Sequence, residues 1–247
     1  MDSLAMADAR DTAAAETGAV GLDAPTAPTA PEAPEAPKPK LRGWLHAAMV
    51  PLILAASITM LCLVRGDGGK WAMAVYLAAS VILFGNSAAY HLGNWSPGVK
   101  VWLRRVDHSN IFLFIAGTYT PLGVLLLDGG SRIAILAVIW AAALAGIFQA
   151  LFWIHAPRWL TAAIYVFMGW AAVWWLPQLW VTGGPAVVWL LLAGGILYSL
   201  GAFVYAKKWP DPWPKWFGFH EVFHSCTILA AACHFTAISL AVATTWS

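Results

Sequence analysis

The chain has 247 residues, 60% of them hydrophobic and only 11% charged, with a mean hydropathy of +0.69, a balance that excludes the soluble globular classes and marks a membrane protein. A formal net charge of +2, with no basic stripe outside short loops between apolar segments, argues against a nucleic-acid partner. Cys62, Cys226 and Cys233 all fall inside apolar segments without paired spacing, so neither a disulfide framework nor a zinc ribbon is available.

Residues 1–40 are built from Ala, Pro, Thr and acidic residues and lack an apolar core of signal-peptide length. Seven of the 12 acidic residues of the chain lie here, which leaves Asp67, Asp107, Asp128, Asp211 and Glu221 for the rest. From Pro25 to Pro37 proline recurs at every third position, a pattern that favours an extended polyproline II spacer. The expectation is a disordered cytoplasmic tether, 1–40, followed by a membrane domain, 41–247.

A helix needs about 20 apolar residues to cross the hydrocarbon. Seven such runs follow, bounded by charge, Gly or Pro: Trp44 to Val64, Trp71 to Leu92, Val106 to Leu127, Ile133 to Ile154, Trp159 to Leu179, Pro185 to Tyr205 and Phe219 to Ala243. Their connections are short and carry turn formers such as Asp128-Gly129-Gly130 and Thr182-Gly183-Gly184. The predicted fold is therefore an all-α bundle of seven transmembrane helices. Tryptophans near span ends, among them Trp44, Trp71, Trp159, Trp180 and Trp216, read as interfacial belts. From Lys38 onward ten Lys and Arg residues fall on the side of the tail and three on the other, which puts the amino terminus in the cytoplasm and the carboxyl terminus outside.

Ionisable groups inside spans are costly and mark a functional site by default. Here they converge on the cytoplasmic end. Ser87 and His91 are one turn apart near the end of the second span, Asp107 opens the third, and His220, Glu221 and His224 open the seventh. His220 and His224 are separated by four residues, about 6 Å along the axis, so both imidazoles can point at one ion. Three neutral nitrogen donors suit Zn2+ with a fourth position for water, whose pKa the metal lowers to about 7. A nearby carboxylate, Asp107, can accept a proton from that water, and Ser87 can donate a hydrogen bond to an oxyanion or ligand. The alternative is a hydrogen-bonded knot that ties helices together.

The other histidines carry weaker expectations. His234 lies about 15 Å deeper than His224 and bonds a neighbouring helix or lines a path. His46 can reach the cytoplasmic pocket without being a ligand. His108 points about 100° away from Asp107 around the helix and reads as an interface residue. His155 reads as a helix-terminal residue favoured by the dipole.

Ser87-Ala88-Ala89-Tyr90-His91, Arg104-Arg105-Val106-Asp107-His108, the run from Ile115 to Pro121, and His220-Glu221-Val222-Phe223-His224 with His234 after it resemble the hemolysin III family. That family is the bacterial branch of the progestin and adipoQ receptor group, seven-helix proteins with a cytoplasmic amino terminus. The resemblance covers nearly the whole chain after residue 40. It implies zinc on His91, His220 and His224, with Asp107 near the metal water and Ser87 beside it. Through a wider group that contains alkaline ceramidases it also suggests hydrolysis of a lipid amide. Where the family's first motif often carries Glu and Asn seven and four residues before its histidine, this chain has Pro39 and Arg42 before His46, and Leu45 replaces the usual threonine.

The functional expectation is a zinc-dependent hydrolase of the cell membrane, acting on a lipid amide or ester that enters from the bilayer. A pore-forming cytolysin fits less well, because no span carries a sustained polar stripe. A receptor with structural zinc is a third reading. A fourth takes His220-Glu221-x-x-His224 as the HExxH of a metalloprotease with Glu221 as base.

Overall fold

The computed structural model describes residues 38–153 and 157–246, and all its regular structure is helical. The main elements are α1 (Trp44–Leu63), α2 (Asp67–Leu92), α3 (Pro97–Leu126), α4 (Gly129–Phe152), α5 (Arg158–Gly169), α6 (Leu176–Lys207) and α7 (Phe219–Ala243). Short 3-10 segments follow α5 at Ala171–Trp175 and α7 at Thr244–Trp246. Most of the predicted 1–40 tail, as well as His155, lies outside the described residues.

Six helical stretches are long and apolar enough to cross a membrane, the longest being Trp159–Lys207 with 49 residues. At 1.5 Å per residue that stretch would be about 73 Å long if straight, more than twice the hydrocarbon thickness. It does not run straight. A 3-10 segment interrupts it after Gly169, and Gly184 adopts φ 83° and ψ 169° ahead of Pro185. The sequence suggests a turn at Thr182-Gly183-Gly184, yet only Gly184 leaves helical geometry. A residue without Cβ is suited to that positive φ.

Charge ends an apolar run but does not end a helix. The third span, expected from Val106, therefore starts as a helix at Pro97 and carries Lys100, Arg104 and Arg105 on its first turns. Proline at the first helical position is favourable, since its missing N–H has no partner there.

α3 is the central helix. Of its most apolar window 72% is buried, against 17% for α1 and 22% for α4. Helices this apolar and this uncovered by protein need an apolar solvent on their outer faces. Side-chain amides tie α3 to α2: Asn110 Nδ2 donates to the Ile82 carbonyl at 3.4 Å and Asn86 Nδ2 to the Leu103 carbonyl at 3.5 Å. On the other side the Tyr119 hydroxyl lies 2.9–3.0 Å from the carbonyls at the end of α5 and accepts the Ala172 N–H at 2.9 Å. The peptide groups freed where α5 stops thus find partners on α3.

α2 and α3 approach closely at Gly117, where an added Cβ would sit 2.6 Å from Ala79 Cβ. Small residues at such crossings let helix backbones meet. Gly117→Val is expected to cost about 1–3 kcal/mol through overpacking, read as earlier thermal unfolding in detergent, and the exchange Ala79→Gly/Gly117→Ala should recover most of it. A Gly117→Val protein as stable as wild type would show that the crossing is loose.

Candidate metal centre

The site is built on the first turns of α7. The Glu221 carboxylate accepts the Gly218 N–H at 2.8 Å, and Asp211 accepts the Phe219 N–H at 2.9 Å, so two of the N–H groups left over at the helix start are satisfied. Glu221 also forms an ion pair with Arg42, which stands just before α1. This buried tie fixes the start of α7 against the start of α1, and with it the two histidines on either side of Glu221.

His220 and His224 are one turn apart on α7, with ring centroids 4.4 Å apart. His91, in the last turn of α2, faces them, its Nε2 3.1 Å from His220 Nε2. One nitrogen from each of the three lies within 4.8 Å of the others. Zn–N bonds of about 2.0–2.1 Å in a tetrahedron put neighbouring nitrogens about 3.3 Å apart. The His91–His220 pair is already near that spacing, and the remaining gap is within reach of side-chain rotation. The three histidines therefore could hold a metal ion.

His46 packs against the same group. Its ring stacks on that of His224 at 3.8 Å and 5°, with Phe84 edge-on at 5.1 Å. His46 is outside the three-histidine group that could hold a metal ion; its ring lies against the face of the His224 ring and would support that ligand. Among the described residues both His46 nitrogens are buried without a hydrogen-bond partner, and the ring steadies His224 from the side of α1.

The expected residues come together on one cavity of about 310 Å³, lined by His91, His220 and His224 as well as Ser87 and Asp107. Asp107 is outside the three-histidine group, and the Ser87 side chain hydrogen-bonds its carboxylate. His234 lines the deep part of the cavity, its Nε2 3.2 Å from the Leu191 carbonyl. His108, read from the sequence as an interface residue, lies between helices, its ring 6.1 Å from that of Tyr205 on α6, and it also lines the cavity. Its backbone carbonyl accepts the Tyr165 hydroxyl at 2.8 Å.

The sequence places His46 near the cytoplasmic pocket, which it does line, but sequence reasoning missed its stacking on His224 and the Arg42–Glu221 pair. The signal available was Arg42 itself, a cation one turn before a histidine at the membrane surface. The pair also bears on the protease reading: a carboxylate engaged by Arg42 and by the Gly218 N–H is not available as a general base.

A family model described as Haemolysin-III related matches residues 35–235. A Bacillus subtilis (strain 168) protein named Hemolysin-3 homolog is 28% identical over 193 residues, 77% of this chain and 87% of that protein. Progestin and adipoQ receptor-like protein 1 of Caenorhabditis elegans is 28% identical over 190 residues, 69% of this chain and 43% of that one. Heptahelical transmembrane protein ADIPOR2 of Oryza sativa subsp. japonica is also 28% identical over 190 residues and is covered over 82% of its length.

Proposed function

The chain belongs to the haemolysin III family, related to the progestin and adipoQ receptor group, and on that premise we propose that it is a zinc-dependent hydrolase acting on a lipid amide or ester within the bilayer. It is a multi-pass integral membrane protein of the bacterial plasma membrane. The observation that carries the reading is the meeting of three imidazoles and a serine-bound carboxylate on one buried, mainly apolar cavity. A knot that only ties helices together needs no cavity beside it. Sites for small apolar ligands have this form, an apolar wall with a few convergent polar groups.

His91, His220 and His224 would hold the zinc. Bound there, zinc supplies a Lewis acid and brings the pKa of water to about 7. The chain's own groups do the remainder. Asp107 takes up a proton at its carboxylate, Ser87 orients that carboxylate by its hydrogen bond, and the wall of Leu83, Phe114 and Ile115 receives an acyl chain and keeps bulk water out. Asp107→Asn should retain the metal and lower turnover of a lipid amide by about 100-fold or more, the range of a general base. Undiminished turnover in purified, metal-loaded Asp107→Asn would remove Asp107 from that role.

The same reading includes seven crossings, with the amino terminus in the cytoplasm. In support, the stretch Trp159–Lys207 is about twice as long as one crossing and breaks at Gly184, one relative is named heptahelical, and basic residues favour the side of the tail. Fused to the carboxyl terminus, alkaline phosphatase should be active and green fluorescent protein dark. A fluorescent fusion would mean an even number of crossings or the opposite orientation.

A further inference from the structure

The cavity has two unlike ends. Its inner wall is apolar from Leu83 and Phe114 to Trp170, whereas Arg104 and Lys208 line it where α3 begins and α6 ends. Both of these cations are exposed, and among the described residues neither has an ion-pair partner, in contrast to Arg42, which Glu221 neutralises. Among the described residues Asp107 and Asp211 form no ion pair with either cation: Asp107 is hydrogen-bonded by Ser87, and Asp211 accepts the Phe219 N–H. Arg104 precedes Asp107 by one turn, about 4.5 Å along α3. Lys208 stands just past the end of α6, three residues after Tyr205 and in left-handed conformation with φ 54°, and the Tyr205 ring lies 6.2 Å from that of His220.

Two cations, one on α3 and one just past the end of α6, thus line the same cavity as the three histidines. An uncharged head group gains little from them. A carboxylate or phosphate gains charge-assisted hydrogen bonds, and arginine offers two parallel donors to either. We propose that this end of the cavity is an anion-binding subsite, and that the lipid taken by the centre is an acyl amide or ester whose head carries a carboxylate or phosphate. The acyl link rests on the hydrolase reading; the anionic head rests on Arg104 and Lys208 alone.

The test is equilibrium binding to the full chain in phosphatidylcholine nanodiscs. N-lauroylglycine and N-lauroylethanolamine share chain and amide and differ in a carboxylate against a hydroxyl, while dodecyl phosphate against dodecanol examines the phosphate. The anionic member of each effective pair should bind about tenfold tighter. That preference should fall to about twofold in Arg104→Gln/Lys208→Gln and persist in Arg104→Lys. The pair that shows the preference identifies the head group. Equal affinities within both pairs in wild type, or an unchanged preference in the double variant, would overturn the subsite. Turnover is measured separately, so a head-group preference without hydrolysis would leave the subsite standing and end the hydrolase reading.

Discussion

Replacing His224 with alanine is expected to leave the purified protein without its metal. Elemental mass spectrometry on detergent-purified wild type should find about one zinc per chain, and His224→Ala less than about a tenth of that. Loss of a partner that merely orients a ligand already weakens a site by about 10–100-fold, so loss of one of three ligands should exceed that range. His91→Ala should behave alike, since its Nε2 stands 3.1 Å from that of His220 and supplies the donor from the second helix. The informative comparison is His46. Its ring is parallel to that of His224 at 3.8 Å and it is outside the three-histidine group, so it is expected to support the ligand without serving as one. His46→Phe keeps an aromatic face and should retain zinc, while His46→Ala opens a gap beside His224 and should bind it more weakly. A folded wild type without metal would turn the three histidines into a hydrogen-bonded tie and remove the basis for hydrolysis.

The membrane domain was legible because hydropathy and charge report directly on which segments can lie in hydrocarbon, and the i,i+4 spacing of His220 and His224 is a property of any helix. What the sequence concealed lies where one-dimensional pattern and three-dimensional neighbourhood part. Lys100, Arg104 and Arg105 end an apolar run, yet α3 begins at Pro97, since a helix can extend past the hydrocarbon with its charges in the interface. His108 reads as an interface residue from its angle to Asp107 and does meet Tyr205 of α6, but that angle says nothing of the cavity it also lines. His46 opens the first span and so belongs to the cytoplasmic end, but spacing does not say which groups His46 and Arg42 meet there. Their partners, His224 and Glu221, are nearly the length of the membrane domain away in sequence, and Arg42 departs from the family's first motif at the position that makes the contact.

That departure leads to the second large effect. Glu221 is 1% exposed and Arg42 18%, and their ion pair joins the start of α1 to the start of α7. Removing one member leaves the other charge buried without compensation, a loss of about 3–5 kcal/mol, whereas replacing both by apolar groups of similar volume is often neutral or better. Glu221→Ala should therefore unfold much earlier in detergent than wild type and bind metal less well, because the first turn of α7 that carries His220 also loses the acceptor for its Gly218 N–H. Glu221→Gln can still accept that N–H and should fall in between. The double variant Arg42→Met/Glu221→Met should recover most of the stability while leaving the three histidines untouched. If the single and double variants lose stability additively, the two side chains are not coupled. If Glu221→Gln retains turnover of a lipid amide once its lower stability is allowed for, the carboxylate acts in architecture and not as a protease-like base, as expected of a group already engaged by a guanidinium and a helix N-terminus.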